Sequence, residues 1–113
     1  MMNHDKKILI APSLLAADFS QLENQIKLIE KAGADLLHLD VMDGVFVPNI
    51  SFGIPIIESV RQKTKLFFDT HLMISDRIKY VEAFKKAGAN SLTIHIETCP
   101  EPKKIFEEMR ELG

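Results

Sequence analysis

Short apolar runs of strand length alternate with amphipathic stretches of helix length along this chain. That rhythm predicts an α/β fold with helices packed outside a parallel sheet. Four such units are legible. Ile8 to Pro12 is a β-rich run ending at a proline, after which Ser20 and Glu23 form a capping box for a helix carrying Leu22, Ile26 and Ile29 on one face. Gly33 supplies its left-handed stop. Leu36 to Asp40 is the second strand, and Pro55 suits the first turn of a helix whose Ile56, Ile57 and Val60 face the core, with Thr64 near its end. Leu66 to Leu72 is the third strand; Ser75 or Asp76 caps the next helix, which bears Ile78, Val81 and Phe84 and ends at Gly88. Leu92 to Ile96 is the fourth strand. Pro102 then opens a last helix with an apolar stripe of Ile105, Phe106, Met109 and Leu112, and Gly113 stands where a C-terminal cap belongs.

An internal repeat supports this division, because Lys31-Ala32-Gly33-Ala34-Asp35 recurs as Lys86-Ala87-Gly88-Ala89-Asn90, two βα units later. Both copies are a helix stop feeding a strand, and carrying the offset forward superposes His38 on Thr93 and Asp40 on His95. A step of two units fits the layering of a (β/α)8 TIM barrel, in which alternate strands fill a layer. A closed barrel takes about 250 residues, so four βα units in 113 residues correspond to a half barrel. An open, doubly wound four-stranded sheet is the alternative. Residues 1–113 read as one half of a single domain, with 1–7 as a polar tail that includes His4.

Composition narrows the function classes. The 14 Lys and Arg are scattered among 16 Asp and Glu, giving a net charge of −2, which argues against nucleic acid or an anionic membrane as partner. No apolar run approaches the ~20 residues of a bilayer span, and Met1 to Lys7 is too polar to open a signal peptide. The single Cys99 has no internal disulfide partner and reads as a bystander; a reducing cytoplasm is expected.

Period-two alternation puts Leu36, His38 and Asp40 on one face of the second strand, and Asp69, His71 and Met73 on one face of the third. Imidazoles and a carboxylate at neighbouring strand ends suit Zn, Fe, Mn or Co, since these ligands are already deprotonated at neutral pH. His38, Asp40 and His71 are therefore candidate metal ligands, although a lone inward histidine is more often a hydrogen-bonded core residue. Met42 and Met73 each follow a candidate ligand by two positions and line a pocket or fill gaps in the core. The loop Val41 to Asn49 is of the kind that builds a site at a barrel's C-terminal mouth. Ser13, after Pro12, either binds substrate or caps a turn. His95 is either a lining residue or a satisfied core histidine and is assigned no role.

The segments Ile10-Ala11-Pro12-Ser13-Leu14-Leu15-Ala16-Ala17-Asp18-Phe19, His38-Leu39-Asp40-Val41-Met42-Asp43-Gly44, Phe46-Val47-Pro48-Asn49 and Asp69-Thr70-His71-Leu72-Met73 resemble the ribulose-phosphate 3-epimerase family in order and spacing. Thr70 and the proline-free turn Ile74-Ser75-Asp76-Arg77 depart from the family pattern without touching an expected ligand. The resemblance runs from Ile8 onward and covers the first half of the family's barrel. It implies a metal-dependent isomerase of the pentose phosphate pathway that interconverts D-ribulose 5-phosphate and D-xylulose 5-phosphate.

By that resemblance His38, Asp40 and His71 hold one divalent ion (Zn, Fe(II), Mn or Co), and Asp40 is also an acid/base. Ser13, His38, Met42, His71 and Met73 line the sugar-phosphate site. The reaction implied is removal of the carbon-3 proton to give an enediolate, stabilised by a Lewis-acid ion, and reprotonation on the opposite face. The family's second acid/base, its fourth ligand and its phosphate-gripping loops correspond to sequence beyond Gly113. Family members form homo-oligomers, which is the expectation here. Allulose 6-phosphate is the alternative substrate. The competing class is an inactive half barrel whose first and fourth strands pair with a second copy or a partner.

Overall fold

The computed structural model describes residues 7–76 and 78–113. Its sheet has three parallel strands, β1 (Leu36–Met42), β2 (Phe67–Met73) and β3 (Ser91–Thr93), in that order. Among the described residues they alternate with four α-helices, α1 (Leu22–Lys31), α2 (Ile54–Arg61), α3 (Val81–Ala87) and α4 (Pro102–Leu112). Alternation along β1 and β2 sorts the side chains as expected. Leu37, Leu39 and Val41, with Phe68 and Leu72, are buried with Ile26 of α1, Ile57 and Val60 of α2 and Phe84 of α3. Each such side chain contributes about 1.5–3 kcal/mol by leaving water. A second cluster of Val81, Cys99 and Ile105 seats α4, with Met109 and Leu112 packed against it. Phe106 departs from the expected stripe and stays half exposed, because one residue beyond Ile105 turns it well off the buried face.

The expected first strand is not one. Residues 8–12 run beside β1, where the Ile10 carbonyl accepts from the Asp35 and Leu36 amides and the Pro12 carbonyl from His38 N–H. Only Ser13 forms a bridge, to His38. The donors a ladder needs are diverted: Pro12 has none, and Ile10 N–H goes to Asp35 Oδ2 at 2.9 Å. Lys7 joins the same carboxylate at 2.9 Å, and these contacts, Ile10 N–H foremost, hold Asp35 below the usual carboxylate range. Ile8 remains 83% exposed.

Three further boundaries differ from expectation. Ser20 does not cap α1: the Asp18 carboxylate accepts from Ser20 N–H and Oγ–H and so caps a 3-10 turn, Phe19–Gln21, ahead of the helix, whose own N-cap, Gln21, makes no side-chain bond. Neither Ser75 nor Asp76 caps α3, which opens after a 3-10 turn, Ile78–Tyr80, with Tyr80 as an N-cap that makes no side-chain bond; Ser75 is committed to Asp43 instead. The side chain of Ile78, Arg77 and His4 lie outside the described residues. The fourth strand stops at Thr93 rather than Ile96, because the His95 carbonyl turns to accept from Thr98 N–H and Oγ–H, starting a 3-10 turn, Ile96–Thr98.

Helix stops behave as the glycines predict: Gly33 and Gly88 take φ of +96° and +122°. Arg61 at the end of α2 ties these corners together. Its guanidinium lies 3.7 Å over the Phe68 ring and donates to the carbonyls of Thr64, Leu66 and Gly88 and to Asn90 Oδ1. No helix among the described residues is long and apolar enough to cross a membrane.

Candidate metal and substrate site

The face of the sheet opposite the helices carries the polar chemistry. The β1–β2 register pairs His38 with Asp69, Asp40 with His71 and Met42 with Met73, and the β2–β3 register adds Ser91 beside Asp69 and Thr93 beside His71. These rows lie toward the C-terminal ends of the parallel strands, where open α/β sheets and barrels build their sites.

Asp40 is the hub. Its Oδ1 is 3.1 Å from His38 Nε2 and 3.3 Å from His71 Nδ1, and its Oδ2 accepts from the Ser13 hydroxyl. Ser13 also accepts from Leu15 N–H, so it caps a turn and touches the carboxylate at once. His38 Nδ1 faces Asp69 Oδ2 at 2.9 Å, and the Ser91 hydroxyl donates to Asp69 Oδ1 at 2.8 Å. Burial pushes Asp69 up, but the hydrogen bonds from Ser91 and His38 outweigh it and hold the carboxyl below its usual range. On the other side, His71 Nε2 meets His95 Nε2 at 2.6 Å, with the two rings stacked and the Phe46 ring 4.8 Å from that of His95.

The loop after β1 is built by Asp43. Its Oδ1 accepts from Val45 and Phe46 N–H, while Oδ2 accepts from Ser75 N–H and Oγ–H on the loop after β2. Led by Ser75 N–H, these donors overcome burial and lower the Asp43 carboxyl to about 2. Gly44, at φ +75°, completes the turn, with its missing Cβ at 2.8 Å from the Ile50 side chain. Ser51 braces the other end by donating to the Asp40 carbonyl and accepting from Met42 N–H.

The expected residues Ser13, His38, Asp40, Met42, His71 and Met73 therefore come together, Met42 half-buried and Met73 buried beside the polar rows. Sequence reasoning placed Asp69 on the right face without giving it a partner and left His95 unassigned. The signal for both lies in the lateral pairing of strands, which a single strand does not display.

The donor set fits a divalent cation. One ligand atom from each of His38, Asp40 and His71 lies within 4.8 Å of the others. Where neither nitrogen carries a hydrogen, the lone pairs of His38 Nε2 and His71 Nδ1 oppose the Asp40 carboxylate that they face. A positive ion between them relieves that opposition.

A family model described as "Ribulose-phosphate 3 epimerase family" matches residues 9–113. Among curated relatives, the ribulose-phosphate 3-epimerase of Bacillus subtilis is 51% identical over 94% of this chain and 49% of its own length. That of Synechocystis is 49% identical over 96% of this chain and 48% of its own length. A cytoplasmic isoform from rice is 49% identical over 78% of this chain and 39% of its own length. The chain thus spans about half the length of the curated relatives it matches.

Proposed function

This chain belongs to the ribulose-phosphate 3-epimerase family, and from that premise we propose that it carries the metal-binding part of a site that epimerises D-ribulose 5-phosphate and D-xylulose 5-phosphate at carbon 3. Residues 1–113 are read as the first four units of one (β/α)8 barrel. The observation behind this reading is Asp40, set between His38 and His71 on the uncovered face of the sheet.

His38, Asp40 and His71 would hold the ion, which when bound supplies Lewis-acid stabilisation for negative charge on the substrate oxygens. Asp40 takes the carbon-3 proton. General base help of this kind contributes roughly 10²- to 10⁴-fold. Ser13 holds Asp40 through Oδ2 and so fixes the direction from which the carboxylate approaches. Met42 and Met73 offer apolar, polarizable walls that exclude water beside the reacting carbon. Inversion requires a second acid on the opposite face, a role this chain's Asp40 does not fill by itself.

The test is proton NMR of ribulose 5-phosphate in D2O with the chain and Zn, Fe(II) or Mn. Loss of the carbon-3 proton signal, or appearance of xylulose 5-phosphate, is expected, and Asp40→Asn should abolish both. A metal-loaded chain that gives neither would overturn the reading, and faster exchange on allulose 6-phosphate would reassign the substrate.

One observation favours a further reading of assembly. Ile8, Leu9 and Ile10 are exposed along the open edge of the sheet, and unpaired apolar edges favour pairing with a second copy. A monomer by light scattering at micromolar concentration would remove the homo-oligomer from this proposal.

A further inference from the structure

We propose that Asp43 is a positioning residue that pins the loop after β1 across the end of β2, and that the Phe46 ring it holds against His95 is a wall of the sugar-phosphate site. The inference rests on the reading of the face that carries His38, Asp40 and His71 as that site. It gives roles to two side chains that the reaction scheme above does not use.

The loop begins and ends beside the polar rows. It leaves β1 at Met42, and an antiparallel bridge between Asp43 and Ile50 joins its two ends. Ser51 closes it by donating to the Asp40 carbonyl at 2.6 Å and accepting from Met42 N–H at 2.9 Å. Compact loops whose ends meet in this way keep their shape through their own side chains. Between those ends the chain travels sideways. Phe46 belongs to the loop after β1, yet its ring meets that of His95, two residues beyond the end of β3, at 4.8 Å. In a sheet of order β1-β2-β3 that is a reach of two strand spacings, roughly 10 Å, across the end of β2.

Asp43 supplies the pin where the loop crosses. Its Oδ1 accepts from Val45 N–H at 2.8 Å and Phe46 N–H at 2.9 Å, which shapes the turn that delivers Phe46. Its Oδ2 accepts from Ser75 N–H at 2.8 Å and Ser75 Oγ–H at 3.1 Å, two residues after Met73 at the end of β2. One carboxylate therefore fastens the backbone of Phe46 to the strand that carries His71 and Met73. Held there, the half-buried Phe46 ring extends a stack that runs through His95 to His71, whose rings are 4.8 Å apart. Met42 and Met73 stand in register at the ends of β1 and β2, and Phe46 adds a third apolar surface at the same end of the sheet. The side chains of Asp43, Ser51 and Ser75 are all committed to the loop's shape, which suits a wall set in place before a ligand arrives.

NMR of the chain tests both parts. In the unsubstituted chain a nuclear Overhauser effect should join the Phe46 and His95 rings, and ribulose 5-phosphate added to the Zn-loaded chain should shift the Phe46 ring signals. Asp43→Ala should erase the contact between the rings, whereas Ser75→Ala, which keeps the amide donor, should only weaken it. Phe46→Ala and Asp43→Ala should each weaken ribulose 5-phosphate binding about tenfold, the scale of burying part of an aromatic side chain. A residue serving stability alone would lower the melting temperature and leave the ring contact in place below it. Absence of the Phe46–His95 contact in the unsubstituted chain, a measurement that needs no variant to fold, would overturn the proposal. So would an Asp43→Ala chain that keeps the contact, or ribulose 5-phosphate bound without moving the Phe46 signals. A contact that depends on Asp43 in a chain that binds no ribulose 5-phosphate would support Asp43 as the residue that places Phe46, while sinking the reading of this face as the substrate site.

Discussion

At the scale of single residues, two side chains make opposed demands on water. Thr70 is fully buried, and its hydroxyl is the one buried side-chain polar atom without a partner among the described residues. Thr70→Val removes that cost and should raise the stability measured by urea unfolding by about 1 kcal/mol; a lower midpoint would mean that the hydroxyl finds a partner. Asp43 is the reverse case, a carboxylate saturated with donors and held at about 2. Its lowered value stabilises the fold above the ordinary carboxylate pKa of about 4. That contribution fades as pH falls from about 4 toward 2. The melting temperatures of the unsubstituted chain and Asp43→Asn should therefore differ at pH 7 and converge near pH 2. The candidate ligands were legible because His38, Asp40 and His71 obey a local two-residue period. The contacts of Asp69 were not, since they depend on Ser91 and His38 arriving from other strands.

At the scale of elements, the turns and strand starts decided where sequence reasoning succeeded. Gly33 and Gly88 were readable as helix stops because their positive φ is a demand of the local backbone. The edges of the sheet were less readable: Ile8 to Pro12 has strand composition, yet Asp35 takes the Ile10 donor that a ladder needs. The cap was likewise placed at Ser20, whereas Asp18, two residues earlier, takes that serine's hydroxyl and amide for itself. The corner around Arg61 offers a sharp test. Arg61→Ala removes four hydrogen-bond acceptors' partner and the stacking on Phe68, and should cost about 2–4 kcal/mol in denaturant unfolding. Arg61→Lys should recover little, since an ammonium lacks the planar fork. Gly88→Ala would set a Cβ 2.2 Å from Arg61 Cδ at an unfavourable φ. Combined with Arg61→Ala it should cost less than the sum of the two, because the clashes with Cγ and Cδ disappear while the tight contact with Cβ at 3.1 Å and the backbone strain stay.

At the scale of the whole molecule, the helices cover one face of the sheet and the candidate ligands His38, Asp40 and His71 occupy the other. Zn or Mn bound there should raise the melting temperature, by about 2.7 kcal/mol of stabilisation at a hundredfold excess over Kd, equivalent to roughly 10–20 °C for a chain of this size. A chelator should reverse the shift and His71→Ala should abolish it in a thermal scan. The division of faces has one more consequence, carried by β1. Leu37, Leu39 and Val41 spell the fold on odd numbers, while His38, Asp40 and Met42 spell the chemistry on even ones. Two interleaved messages share one reading frame of parity. Deleting a single residue inside β1 would exchange them, sending imidazoles into oil and leucines to the ligand face, whereas substitutions at even positions leave the other message intact. Inheritance can therefore edit the chemistry of this strand letter by letter, but it can change its length only in pairs.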